Sequence, residues 1–134
     1  MKHCTISITT TVDGQQTTVK RQGEMALTAS SAQLSYAEEN AAVALSLFAS
    51  HGEVVRTGDY SLRLPLKAGE STKGEIGIGG AQGEVEVYTD KLAFSTSENS
   101  LLACLHYHLI FGQEKQSMQL RIHATANKGE NDEN

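Results

Sequence analysis

From residue 3 to residue 126, apolar and polar residues alternate in short runs, each closed by Gly, Asn, Asp or Ser, and no stretch keeps a helical period. A strand turns successive side chains to opposite faces, so a period of two marks strands that bury one face and wet the other. Unbroken repetition of such runs, joined by turns of a few residues, predicts an all-β fold. Short connections favour an up-and-down meander over a Greek key, whose return connection needs a longer loop. Closure removes the unpaired edges, so the expected architecture is a single antiparallel up-and-down (meander) β-barrel of about eight to ten strands. A two-sheet sandwich is the alternative.

The expected strands are residues 3–12, 16–29, 33–38, 41–50, 53–57, 60–67, 72–79, 82–95, 101–111 and 117–126. Asp13 and Gly14 suit the positive φ angles of a type I′ hairpin. Turns are also expected at Ser30 and Ser31, Glu39 and Asn40, His51 and Gly52, Gly79 and Gly80, and around Glu114 and Lys115, with a bulge or tight corner at Gly58 and Asp59. Residues 89–91 read as part of a strand or as a further turn. Pro65 interrupts the stripe of Leu62, Leu64 and Leu66, and because it donates no hydrogen bond it belongs at an edge or a bulge. Val85 and Val87 are expected inward with Glu84 and Glu86 outward. Leu101, Leu105, Tyr107, Leu109 and Phe111 form the most apolar inner face.

A chain of 134 residues is one domain. Residues 1–126 are expected to form the barrel and residues 127–134, which have nothing to bury, a disordered polar tail. Sixteen acidic residues outnumber eleven Lys and Arg, and the basic residues are scattered, which argues against nucleic acid as a partner. No apolar run is long enough to span a membrane. The start Met1, Lys2, His3, Cys4 runs straight into a strand without a secretory pattern, giving a cytoplasmic expectation. Cys4 shares a face with Ile6 and Ile8, whereas Cys104 lies opposite the face of Leu105 and Tyr107, so no disulfide is expected between them.

Several motifs recur in a definite order: Gln22-Gly23; Leu34-Ser35-Tyr36-Ala37-Glu38; Val55-Arg56-Thr57-Gly58; Gly83-Glu84-Val85-Glu86-Val87-Tyr88-Thr89; and Leu105-His106-Tyr107-His108-Leu109. In that order and spacing the chain resembles the YwiB-like bacterial family of uncharacterised calycin-type, lipocalin-like β-barrels. The resemblance spans nearly all of the alternating region. It implies a small soluble barrel of unknown function, found chiefly in Gram-positive bacteria, and brings no catalytic residues with it.

Two sets of residues are candidates for a site. If Glu38 and Arg56 project into the barrel with Tyr36 beside them, they make a polar anchor for a small ligand in an apolar interior. The same residues also read as a structural ion pair closing one end of the barrel. The second set is His106, His108 and His123. With a turn at Glu114 and Lys115, His106 faces His123 and His108 faces Arg121, a spacing that can bring three imidazoles to one divalent ion. Exposed histidines on a wet strand face are the plainer reading, since Arg121 repels a cation.

Other resemblances to sites are explained by the strands. Gly77, Ile78, Gly79 and Gly80 lie between strands and open no helix, so they read as a hairpin turn and not a phosphate loop. No nucleophile elbow or other catalytic signature is present, and no cofactor is implied. Three functional readings follow. The first is a module binding a small apolar or amphipathic molecule inside the barrel; the second is a structural or interaction protein with a filled core, including a homodimer. The third is a metal-dependent activity at the histidines.

Overall fold

The structure, a computed structural model, describes residues 1–127. Ten strands follow in chain order: β1 (Lys2–Val12), β2 (Gln15–Leu27), β3 (Ala32–Glu38), β4 (Ala41–Leu47), β5 (His51–Gly58), β6 (Tyr60–Lys67), β7 (Ser71–Ile78), β8 (Ala81–Thr96), β9 (Ser100–Phe111) and β10 (Glu114–Ala126). Each pairs antiparallel with the next, and β1 pairs with β10 to close the barrel. The all-β meander is thus as the alternation dictates, and no helix is present among the described residues to cross a membrane.

Backbone chemistry places the tight hairpins. Asp13 and Gly14 take φ of 48° and 90°, both positive as a type I′ turn requires. Two expected turns are corrected. The β4–β5 turn is formed by residues 48–50, and His51 and Gly52 begin β5. Gly52 is small because it packs: a Cβ there would lie 2.6 Å from the Ser46 carbonyl oxygen. Residues 89–91 stay within strand β8, the first of the two readings given for them, with a bulge where the register shifts between Thr89 and Lys91. The β9–β10 turn falls at Gly112 and Gln113, not at Glu114 and Lys115, since Phe111 pairs with Glu114.

Pro65 ends a ladder as expected. The β6–β7 pairing stops at Arg63 opposite Glu75, and beyond it the Thr72 hydroxyl donates to the Pro65 carbonyl. The β6–β7 connection then docks on β8, with the Gly69 amide donating to the Thr89 carbonyl. Asn127 is tied back to the barrel through its amide, which donates to the His3 carbonyl. The expected disordered tail otherwise falls on residues 128–134, outside the described residues.

The inner faces converge on one core in which Ile6, Met25, Leu34, Leu47, Leu66 and Leu105 are fully buried. Each such side chain contributes roughly 1.5–3 kcal/mol by leaving water. The core is not centred. At the end carrying the β2–β3, β4–β5, β6–β7 and β8–β9 connections, most inner positions are buried, including Cys4, Ala32, Leu47, Leu66 and Ala126, while Leu27, Leu92 and Phe94 are half-buried. Toward the other end, which carries the hairpins β1–β2, β3–β4, β5–β6, β7–β8 and β9–β10, Val85, Tyr107 and Leu109 remain buried on the β8–β9 wall, but inner positions such as Val19, Tyr36, Val43, Leu62, Met118 and Leu120 are only half-buried. Strand length accounts for part of this. Strands β3 and β4 have seven residues each, against thirteen in β2 and sixteen in β8. The wall is therefore low on one side, and the barrel opens there.

Candidate functional site

Alternation places Tyr36 and Glu38 of β3 and Arg56 of β5 on the inner face at the open end, because they share parity with the buried Leu34 and with Val54. The structure therefore brings the first candidate set together. Arg56 Nε lies 3.6 Å from Glu38 Oε1, and Arg56 Nη2 lies 2.9 Å from Asp59 Oδ1. Its Nη1 donates to the Tyr60 carbonyl at 2.8 Å, and the guanidinium sits 3.7 Å above the centre of the Tyr60 ring. The hydrogen bond from Arg56 holds the Asp59 carboxyl below the usual carboxylate range. Arg56 thus spends its donors on β3 and on the β5–β6 corner.

A second arginine is less committed. Arg21 lies on the inner face of β2, between Val19 and Gly23, at the point where β2 and β3 part: their ladder runs from Leu27 opposite Ala32 only as far as Gly23 opposite Tyr36. Arg21 Nη1 donates to the Lys20 carbonyl at 3.2 Å, while its Nε is enclosed without an acceptor. Nothing in the residue types alone flags Arg21; the signal was its shared parity with Val19 and Met25.

Two tyrosines floor this end. Tyr36 comes from β3 and Tyr107 from β9 on the opposite wall, and Tyr107 is 3% exposed. Burial pushes the Tyr36 hydroxyl pKa up to about 12; the Glu38 carboxylate adds to that rise and Arg21 opposes it. Burial, then Tyr36, raises that of Tyr107. The two tyrosines face the same lumen, near enough for Tyr36 to influence Tyr107 and for Arg21 to influence Tyr36.

The histidines do not come together. Because the β9–β10 turn sits two residues earlier than expected, the ladder slides by twice that, and His106 faces Gln119 while His123 faces Leu102. His108 faces Ser117, not Arg121. Each has its own neighbour: His106 Nε2 lies 3.5 Å from Cys104 Sγ, His108 Nε2 is paired with Asp90, and His123 Nε2 lies 3.4 Å from Thr125 Oγ1. Asp90 is the residue the β8 bulge throws out of the ladder. Among the described residues no group of three His, Cys, Asp or Glu is placed to hold a metal ion. Cys4 and Cys104 are both free.

The model of a family described as a domain of unknown function, DUF1934, matches residues 2–122. The chain belongs to that family. No curated protein matches it. Among solved structures, the crystal structure of the ywiB protein from Bacillus subtilis is similar, with a TM-score of 0.80 and 16% sequence identity over 95% of this chain and 93% of that one. At that identity the likeness establishes the barrel fold of this DUF1934 member and nothing about a ligand.

Proposed function

We propose that this barrel is a binding module that takes a small amphipathic molecule into its open end. The observation that carries the reading is the gradient along the inner face. One end is mostly buried apolar core, while the other leaves Tyr36, Leu62, Met118 and Leu120 half-covered on the inner face that also carries Arg21 and Arg56. A barrel whose inner wall served stability alone gains by burying those groups; one that receives a guest gains by leaving them. Mass spectrometry under native conditions on protein purified from its own host tests this. A retained stoichiometric small molecule, absent from the mouth-filling variant Leu62→Trp, supports the proposal. Protein that carries no guest and takes up none from a host metabolite extract refutes it.

A second reading rests on β2. Residues 15–22 pair with β1 but, among the described residues, with no strand on the β3 side. Such an edge can accept a further strand, and a second copy of this chain is the simplest donor. Light scattering across a concentration series tests it: a dimer broken by Thr18→Pro supports edge pairing, and a monomer throughout removes it.

A further inference from the structure

Strand pairing gathers cations that the sequence keeps apart. Three successive rows of side chains cross the outer face of β8, β9, β10, β1 and β2. The first is Ser95, Leu102, His123, Ser7 and Lys20, and the second is Ala93, Cys104, Arg121, Thr9 and Thr18. The third is Lys91, His106, Gln119, Thr11 and Gln16. These rows hold Lys20, Lys91, Arg121 and two histidines but no Asp or Glu, in a chain whose sixteen acidic residues outnumber its eleven Lys and Arg. We propose that this face carries a binding site, separate from the open end of the barrel, for a small organic oxyanion whose head lies on Arg121 and whose apolar body lies on Leu102.

Side-chain size shapes the site. Ser7, Thr9, Ala93 and Cys104 are short, Leu102, Arg121 and His123 are long, and together they line a hollow of about 460 Å³ in the outer wall. Small-molecule sites commonly have that volume. A neighbouring hollow lined by Lys91, His106 and Gln119 shares Thr9, Cys104 and Arg121 with it, so the two run together as one groove. Leu102 is 55% exposed within it. A large apolar side chain left wet in a hollow gains by being covered.

Charge selects the occupant. Arg56 and Arg63 spend their guanidinium groups on carboxylates, whereas Arg121 has no ion pair and no side-chain hydrogen bond among the described residues. Its planar fork is therefore free to take two oxygens of a carboxylate or phosphate in parallel bonds. No carboxylate lines the groove to repel such a head, and Lys20, next to Ser7 in the first row, adds positive potential. The three rows hold no Phe, Tyr or Trp, so the bases of a nucleic-acid strand find no stacking platform. A compact anion with an apolar body fits both the charge and the volume.

The test titrates methyl-labelled protein with phenyl phosphate, with benzoate and with neutral benzyl alcohol. The proposal expects the anions to shift the Leu102 methyl resonances and to bind at least about fivefold more tightly than benzyl alcohol. Occupancy should also slow the alkylation of Cys104 by N-ethylmaleimide. The tighter of the two anions identifies the head group. Arg121→Gln should erase the preference for anions, and Leu102→Glu, which sets a carboxylate in the groove, should abolish it independently. Should Arg121→Gln fail to fold, Leu102→Glu carries the comparison. Equal binding of the anions and benzyl alcohol overturns the proposal, as does an unmoved Leu102 at millimolar anion. Anions that shift the Leu62 and Leu120 methyls and leave Leu102 unmoved overturn it too, while leaving the open-end reading standing.

Discussion

Gly23 of β2 stands opposite Tyr36 of β3, and no larger residue fits there. A Cβ on Gly23 would lie 2.2 Å from the Ser35 carbonyl oxygen and 3.1 Å from Tyr36 Cβ. It would also lie 2.7 Å from Ile6 Cδ1. The glycine lets the tyrosine lie over the last rung of the β2–β3 ladder, at the edge of the open end. Gly23→Ala must push backbone from backbone at a short seam, so we expect a loss of roughly 1–3 kcal/mol. Urea unfolding monitored by circular dichroism measures it; an unchanged midpoint contradicts the close approach.

The Arg56–Asp59 contact gives an acid-dependent prediction. The hydrogen bond from Arg56 lowers the Asp59 pKa on folding, so its stabilisation is present above the unfolded value of about 3.9 and is lost as pH falls through the folded value. Asp59→Asn removes that dependence. Between about pH 5 and pH 2 the wild-type melting temperature should fall more than that of Asp59→Asn. Parallel acid profiles contradict the contact.

Alkali probes the burial of Tyr36. Folding raises the Tyr36 pKa from 10.0 to about 12, chiefly by burial, so the neutral form is favoured. The resulting stability is complete below pH 10 and disappears as pH rises toward 12. Tyr36→Phe should therefore lose less stability than wild type over that interval. Its ultraviolet titration should also lack a late ionisation step. A variant that titrates as wild type does places Tyr36 in water.

The two thiols should differ in reactivity. Cys4 is fully buried, and burial, with the Glu24 carboxylate, raises its pKa. Cys104 is half-buried on the outer wall beside His106. A thiol-exchange reagent should modify one thiol quickly in folded protein and none in Cys104→Ser. Fast reaction of both thiols indicates that the sealed end opens.

Zinc should find no three-histidine site. With His106, His108 and His123 on separate neighbours, calorimetric titration should give no stoichiometric heat that depends on all three. A stoichiometric site abolished by each of His106→Ala, His108→Ala and His123→Ala contradicts the β9–β10 register.

How much of this was legible in the sequence depended on what each residue's neighbours could reveal. Val85 and Val87 pointed inward because alternation encodes direction locally, and Asp13-Gly14 announced its own turn. The mouth group of Tyr36, Glu38 and Arg56 was readable for the same reason, since all three follow the parity of leucine and valine neighbours. The β9–β10 register was not readable. Gly112-Gln113 and Glu114-Lys115 are both acceptable two-residue turns, alternation is preserved by either, and the choice moves every cross-strand partner, which dispersed the expected histidine cluster. The β8 bulge at Asp90 and the packing role of Gly52 depend on contacts with distant strands. Arg21 escaped because a charged residue between Lys20 and Gln22 reads as wet, although the seam beside it turns it inward.

The account depends on a barrel sealed at one end and open at the other, and solvent paramagnetic relaxation of methyl groups tests this most directly. With a neutral gadolinium chelate in solution, the methyls of Leu62, Met118 and Leu120 should relax strongly while those of Ile6, Leu34, Leu66 and Leu101 stay protected. Equal protection of both sets would contradict it, because the inner face would then be closed at both ends and leave no entrance for a guest.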